Sequence, residues 1–267
     1  MSLSIIKTFI LDLIFPRFCL GCGKEMASKQ SALVCDACFG KIILNSGVQC
    51  HICGLRISKG TCLPTGDVPK GHKRCRRKTP LKGLLAAGQY KNPILKEMIH
   101  QFKYQSVESL KKPLAELVIG YLKKENLIDK FSAKSAESPL QPQSEASEFV
   151  LVPIPLTLKR KMNRGFNQSE LLAEEIGKFL NCPVKNLLKR KKFAGPQAEI
   201  SDWQKRKENI SSAFVLSAKI PTEQFSDIKK IILIDDVATS GATLEEAART
   251  LKEAGIKEIY GLVVAKG

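Results

Sequence analysis

The stretch Ile231-Ile232-Leu233-Ile234-Asp235-Asp236-Val237-Ala238-Thr239-Ser240-Gly241-Ala242-Thr243 decides the fold of this chain. Its four leading apolar residues favour β structure and form a run of the kind buried on both faces of a parallel sheet. The run gives way to two adjacent carboxylates and then to a loop of hydroxyls and glycine, so the chemistry is expected to begin where the strand stops. From Leu244 the period changes: Leu244, Ala247, Ala248 and Leu251 repeat at helical spacing, Glu245 and Glu246 fall in the first turn, and Gly255 is placed to end the helix.

A strand, loop and helix in this order direct the amides of Ser240 to Thr243, and the positive end of the helix, at whatever lies beyond the strand's carboxyl end. That is a phosphate site. Asp235 and Asp236 repel phosphate themselves, so their targets are hydroxyl groups or a divalent cation, and a sugar phosphate satisfies both halves. The competing reading is a buried strand ending in a solvated acidic pair, with Thr239 or Ser240 only capping the helix. The succession of apolar run, acidic pair and Thr-Ser-Gly-Ala-Thr favours the ligand site. No Gly-Lys-Ser/Thr loop and no Gly-x-Gly-x-x-Gly fingerprint is present, which disfavours ATP-type and NAD-type folds.

This stretch resembles the phosphoribosyl pyrophosphate (PRPP) signature of type I phosphoribosyltransferases. The resemblance implies that Asp235 and Asp236 bind the ribose hydroxyls, that Thr239, Ser240, Gly241, Ala242 and Thr243 bind the 5′-phosphate, and that Mg²⁺ accompanies PRPP.

Outward from it, strands are expected over 84–90, 149–155, 184–188, 213–216 and 259–265. Helices are expected over 94–102 (Ile94, Leu95, Met98, Ile99 and Phe102 on one face), 110–124 and 169–180 (Leu171, Leu172, Ile176 and Phe179 inward). Strands alternating with helices give a doubly wound parallel α/β domain over 79–267. Within it, 129–148 is rich in Ser, Pro, Gln, Glu and Ala without periodicity and reads as a flexible insertion. After the strand at 149–155 come Lys159, Arg160, Lys161 and Arg164, a cationic loop suited to a pyrophosphate. A second run, Lys189 to Lys192, follows the strand at 184–188. Trp203 reads as a packing residue, though basic neighbours leave base stacking open, and Cys182 reads as a buried thiol.

Ahead of this domain, 1–78 carries cysteines in pairs: Cys19-x-x-Cys22, Cys35-x-x-Cys38 and Cys50-x-x-Cys53. Two residues between thiolates make a knuckle that presents both sulfurs to one tetrahedral ion, and repeated pairs point to zinc ribbons rather than redox chemistry. Cys19, Cys22, Cys35 and Cys38 form one zinc site. Cys50 and Cys53 need two more ligands from Cys62, His72 and Cys75; His72-x-x-Cys75 has knuckle spacing, so His72 is favoured over Cys62. Such zinc ions are structural. His51, between two ligands, is expected to be solvated.

The chain of 267 residues suits one α/β domain plus a small module, and its formal charge of +17, from 43 Lys and Arg against 26 Asp and Glu, suggests a polyanionic partner or surface, nucleic acid first. A solvated basic face is the alternative reading of the charge, here and in the cluster Lys73, Arg74, Arg76, Arg77, Lys78 and Lys82. Leu3, Ile6, Ile10, Leu13 and Ile14 describe an amphipathic N-terminal helix, interrupted by Lys7 and Asp12. With no signal-peptide cleavage site and no membrane-spanning run, a cytoplasmic protein with reduced thiols is expected.

Zinc ribbons followed by a PRPP signature resemble the ComF family of bacterial competence proteins over nearly the whole chain. Further matching phrases are Phe102-Lys103-Tyr104, Arg164-Gly165-Phe166-Asn167-Gln168, and the set Gln197, Arg206, Asn209 and Phe214. His72 stands where the family usually has cysteine, and Ala194 where threonine is common. The resemblance implies a PRPP-binding protein that handles incoming single-stranded DNA during natural transformation, with other DNA-uptake proteins as partners. A phosphoribosyltransferase, a nucleic-acid-binding module with a vestigial PRPP site, and an adaptor docking through its zinc module remain the alternatives; no residue identifies a general base.

Overall fold

A computed structural model of the chain describes residues 17–26, 33–54, 56–57, 79–132, 148–191, 213–217, 228 and 230–267. In chain order the elements are α1 (Asp36–Phe39), β1 (Gly83–Gln89), α2 (Pro93–Tyr104), a 3₁₀ turn (Glu108–Leu110), α3 (Lys111–Lys124), α4 (Ile128–Phe131), β2 (Phe149–Pro153), α5 (Leu158–Arg164), α6 (Gln168–Leu180), β3 (Leu188–Arg190), β4 (Phe214–Leu216), β5 (Lys230–Ala238), α7 (Ala242–Glu253) and β6 (Glu258–Lys266).

β1, β6, β5 and β2 form a four-stranded sheet in that order, every pair parallel. The central strands read as unbroken apolar runs because both their faces are buried. Ile232 and Ile234 of β5, with Tyr260, Leu262 and Val264 of β6, face a core filled by α2, α3 and α6. Ile231, Leu233, Ile259 and Val263 face Leu244, Ala247, Ala248 and Leu251 of α7 and the antiparallel hairpin of β3 and β4. Each such aliphatic side chain withdrawn from water stabilises the fold by about 2 kcal/mol. Gly261 lets α7 approach: a Cβ there would stand 3.1 Å from Leu244 Cδ1 and 3.2 Å from Leu84 Cδ1. Because all four strands run the same way, the segments following β1, β2 and β5 gather at one end of the sheet, where ligands bind in open α/β folds.

Several expected boundaries shift. β5 runs through the acidic pair to Ala238, with Asp235 in register with Val263, so the carboxylates project from the strand's last turn of pleat instead of following it. Val184 makes a single parallel bridge to Leu151, and the ladder is 188–190, which places Lys189 and Arg190 inside a strand. Leu180, not Phe179, completes the buried face of α6; Phe179 is exposed beneath the Lys123 ammonium, 5.0 Å from its ring centroid. The start of the 129–148 segment is structural: Phe131, fully buried, packs edge-on against Phe149 and Tyr260. Glu148, at its end, pairs with Lys230. Cys182 is buried, as its sequence context suggests, with its thiol donating to the Phe131 carbonyl at 2.8 Å.

The free edge of β1 is covered by the cysteine-rich segment. The Asn45 amide donates to Ala87 O, its side chain donates to Ala86 O and Gly88 O, and Gln49 exchanges backbone hydrogen bonds with Leu84. Tyr121 of α3 donates to Gly47 O at 2.7 Å. An unpaired edge would expose these backbone groups; here the segment preceding the domain satisfies them. The amphipathic helix expected near the N-terminus, the interior of the expected insertion, the ligand candidates Cys62, His72 and Cys75, the cations Lys73 to Lys78 and Lys192, and Gln197, Trp203, Arg206 and Asn209 lie outside the described residues.

Candidate functional site

Two knuckles in the cysteine-rich segment are built alike. Cys19 opens the first; Gly23, with φ 69°, closes it by donating to Cys19 O at 2.9 Å, and Phe18 bridges Glu25. In the second, Gly54, with φ 71°, donates to Cys50 O at 2.8 Å, and Gln49 bridges Arg56. The positive φ values require glycine at these corners.

The sulfurs of Cys19, Cys22, Cys35 and Cys38 all lie within 4.8 Å of one another, a donor set matching tetrahedral zinc. Burial would raise the Cys19 pKa, but the amides of Cys35, Cys22 and Gly21 hydrogen-bond its sulfur and bring it down to about 6. Burial and the neighbouring thiols push Cys38 up to about 12. Four thiols this close cannot all ionise without a cation among them, which is the chemistry zinc supplies when bound. Of the second expected site, Cys50 and Cys53 are described.

At the other end of the sequence, the acidic pair is embedded in a polar network. Asp236 is buried and accepts an ion pair from Lys103 Nζ at 2.9 Å. Asp235 Oδ1 accepts from Ser169 Oγ at 2.9 Å and from the Asp236 amide at 2.9 Å. Burial, then the charge of Asp236, push Asp235 up to about 7, against the opposing pull of Ser169, the Asp236 amide and Lys103.

The loop that follows turns at Gly241, whose φ of 75° makes it a left-handed helix cap, and Ala242 N lies 3.4 Å from Ser240 Oγ. α7 then carries Glu245 and Glu246 in its first turn, and Gly255, with φ 95°, stops it by donating to Lys252 O while Ile256 donates to Leu251 O. Thr239 and Ser240 are exposed at the sheet end, and Ala242 and Thr243 half-exposed.

Lys159, Arg160, Lys161 and Arg164 occupy a helix, not a loop: α5, capped by Thr157, which accepts from the Arg160 amide. The helix divides them. Arg160 and Arg164 join Lys103, Tyr104 and Asn163 around a recess of about 420 Å³, beside the Lys103 that holds Asp236. Lys159 and Lys161 instead line an open cleft of about 800 Å³ with Lys189, Arg190 and Lys191 of the hairpin, over Leu156, Leu158 and Leu188.

Two phrases of the sequence, Phe102-Lys103-Tyr104 and Arg164-Gly165-Phe166-Asn167-Gln168, interlock in space. Phe102 is buried and meets Phe166 at 5.5 Å between ring centroids, while Gln168 Nε2 donates to Phe102 O. Arg164 lies over the Tyr104 ring at 5.2 Å and donates to Gln168 Oε1. Asn167 caps α6 and donates to Ile154 O. Their combined effect is to place Lys103 and Ser169 on the acidic pair. Lys103 has no sequence signal beyond its phrase, and Ser169, the residue after the second phrase, has none of its own.

Arg190 was visible only as one charge in a basic run. It packs over Phe214 at 5.3 Å, and its buried Nε has no hydrogen-bond partner among the described residues. Burial, then the nearby Arg160, lower its pKa, opposed by Asp235.

His51 departs from expectation altogether. It is buried, donates from Nε2 to Glu245 Oε2 at 3.2 Å, and lies with Thr79 Oγ1 3.4 Å from the same nitrogen. Glu245 is a first-turn residue of α7, so the ring reaches the helix and the glycine loop that begins it.

Comparison with known proteins agrees with this two-part arrangement. Residues 10–79 match the double zinc ribbon domain, and residues 166–267 match the phosphoribosyl transferase domain. Competence protein F of Haemophilus influenzae is 27% identical over 255 residues, covering 92% of this chain and 96% of that protein. Competence protein ComFC of Bacillus subtilis is 30% identical over 228 residues, covering 85% and 81%. DNA utilization protein YhgH of Escherichia coli K12 is 26% identical over 230 residues, covering 83% and 92%. With a zinc-ribbon cysteine cluster, a phosphoribosyl transferase fold and a ComFC relative matched over most of both lengths, the chain belongs to the ComF family of competence proteins.

Proposed function

We propose that this protein binds PRPP with Mg²⁺ at the carboxyl end of β5 and acts in DNA uptake during natural transformation, handling single-stranded DNA on the cytoplasmic side. The observation that carries the PRPP reading is the continuity of Asp235 and Asp236 with a left-handed glycine and a helix N-terminus, with Lys103, Arg160 and Arg164 on the adjacent recess. Ribose hydroxyls donate to Asp235 and Asp236, the loop 239–243 receives the 5′-phosphate, and Lys103, Arg160 and Arg164 neutralise the pyrophosphate. The acidic pair, with Asp236 buried and already drawing the Lys103 ammonium, is a fitting donor set for a divalent cation, which when bound would supply charge neutralisation of the pyrophosphate. For transfer, the fixed cations stabilise the departing charge. Mg²⁺ with PRPP is expected to raise the melting temperature of the parent and not of Asp235→Asn/Asp236→Asn, since a ligand binding only the folded state stabilises it; equal shifts in both would refute the assignment.

A nucleic-acid-binding role, with or without turnover, is favoured by the second cleft. Among the described residues its five cations face one lining carboxylate, Glu170, and the buried Nε of Arg190 has no partner. Phosphates satisfy both, and the Leu156, Leu158 and Leu188 floor accommodates a base. Binding of single-stranded DNA is expected to fall steeply with salt. Lys189→Glu/Lys191→Glu is expected to reduce that slope by about two; an unchanged slope would remove the cleft from the DNA path. Other DNA-uptake proteins are proposed partners, docking through the zinc module.

A further inference from the structure

The second knuckle repeats the first turn for turn, yet only the second carries a polar residue after its leading cysteine, where the first has Leu20. That residue, His51, touches the segment proposed to hold phosphate. A Cβ on Gly241 would stand 3.2 Å from His51 Cβ and Cδ2, and the ring nitrogen holds Glu245 of the same helix turn. The knuckle itself is anchored to the sheet. Gln49 pairs with Leu84 of β1, and its side chain accepts from Lys266 Nζ, at the end of β6, at 3.3 Å. A buried imidazole is thus supported from below by two strands and pressed against the loop from the side.

We propose that His51 is a positioning residue for the phosphate loop, fixing the left-handed turn at Gly241 through its ring and the first turn of α7 through Glu245, and that the Cys50-x-x-Cys53 knuckle thereby controls affinity for a 5′-phosphate. The proposal rests on the reading of 239–243 as a phosphate loop. Backbone amides bind phosphate only while they converge, and a loop whose internal side-chain restraint among the described residues is a long Ser240 contact needs an external one. Cys50 is buried and Cys53 exposed, and the turn they bound carries His51, so a change at either thiol acts on that turn. Phosphate affinity then follows the integrity of the knuckle, through His51 and not through a direct contact of the cysteines with phosphate.

The test uses the full chain, ribose 5-phosphate as the probe, and amide hydrogen exchange of 239–243 as a readout that needs no ligand. His51→Ala is expected to weaken ribose 5-phosphate about tenfold, a change worth about 1.4 kcal/mol, and to speed exchange in the loop, with zinc content unchanged. His51→Gln, which retains a donor toward Glu245, is expected to recover most of the affinity. Cys53→Ser is expected to weaken the probe in the parent and to add nothing in the His51→Ala background, the signature of two residues acting through one path. Unchanged affinity and exchange in His51→Ala would overturn the proposal, as would additive effects of the two substitutions. Faster exchange in a protein whose parent does not bind ribose 5-phosphate would uphold the positioning role and overturn the phosphate reading on which its consequence depends.

Discussion

Lys103 Nζ lies 2.9 Å from Asp236 Oδ1, joining the end of α2 to the end of β5 with both side chains largely buried. The pair explains why a three-residue phrase far from the acidic motif belongs to the same site. Phe102 is locked in the core, Tyr104 stacks with Arg164, and the residue between them is left facing the carboxylate. Removing one partner of a buried ion pair strands the other charge, which costs about 3 kcal/mol. Lys103→Met is therefore expected to lower the urea midpoint strongly, and Lys103→Met/Asp236→Asn to recover much of the loss. Destabilisation by the double substitution equal to the sum of the two single ones would show that the pair contributes no coupling.

The acidic pair also sets a pH dependence. Burial beside Asp236 raises Asp235 to about 7, above its unfolded value, so the folded state retains a proton that the unfolded chain has lost. The stability contributed by that proton is full below the ordinary carboxylate range and declines as pH rises through about 7. Chemical denaturation of the ligand-free protein should show this decline, and Asp235→Asn should flatten it. Binding runs the other way. Ribose hydroxyls and a divalent cation require the carboxylate, so affinity for Mg²⁺ with PRPP is expected to rise with pH toward about 7 and then level; calorimetry across that range checks the sign.

Gly241 is held by its φ of 75° and by the His51 ring on the side where a Cβ would go. Gly241→Ala is expected to cost about 2 kcal/mol in stability and to abolish ribose 5-phosphate binding, read from denaturation and titration of the same sample. A variant of parental stability and affinity would show that the loop tolerates a different turn.

The four-cysteine cluster predicts proton release. Cys38, pushed up to about 12 by burial and its neighbours, is protonated at neutral pH in the metal-free cluster and must ionise to ligate. Zinc titration into apo protein, repeated in buffers of different ionisation enthalpy, is expected to show protons released on binding, and Cys38→Ser to lose one bound zinc and the stability that accompanies it. Buffer-independent heats would contradict the ligand assignment.

Local pattern makes most of the sheet legible in the sequence. The run at 231–234, the helical spacing from Leu244 and the apolar stretches at 149–155 and 259–265 correspond to β5, α7, β2 and β6, with β2 ending at Pro153, because strands buried on both faces leave a continuous signature. The cysteine pairs likewise reveal their own chemistry. Features made by tertiary contact were hidden. The acidic pair lies within β5 because β6 continues alongside to Lys266, a fact about the partner strand. His51 resembled a solvated spacer until the knuckle met α7. The cations of α5 seemed one group, and only the helix geometry separates Arg160 and Arg164 from Lys159 and Lys161. Arg190 needed Phe214 across the hairpin to distinguish it from its neighbours.

The measurement that bears most directly on the central claim is a calorimetric titration of PRPP with Mg²⁺ into the zinc-loaded protein and into Asp235→Asn/Asp236→Asn, at moderate salt so that nonspecific phosphate binding is screened. Saturable binding at one site in the parent, lost in the variant while its fold and zinc content persist, is the predicted result. Absence of binding by the folded parent, or equal binding by both proteins, would contradict the assignment of the β5 carboxylates and the loop after them to PRPP.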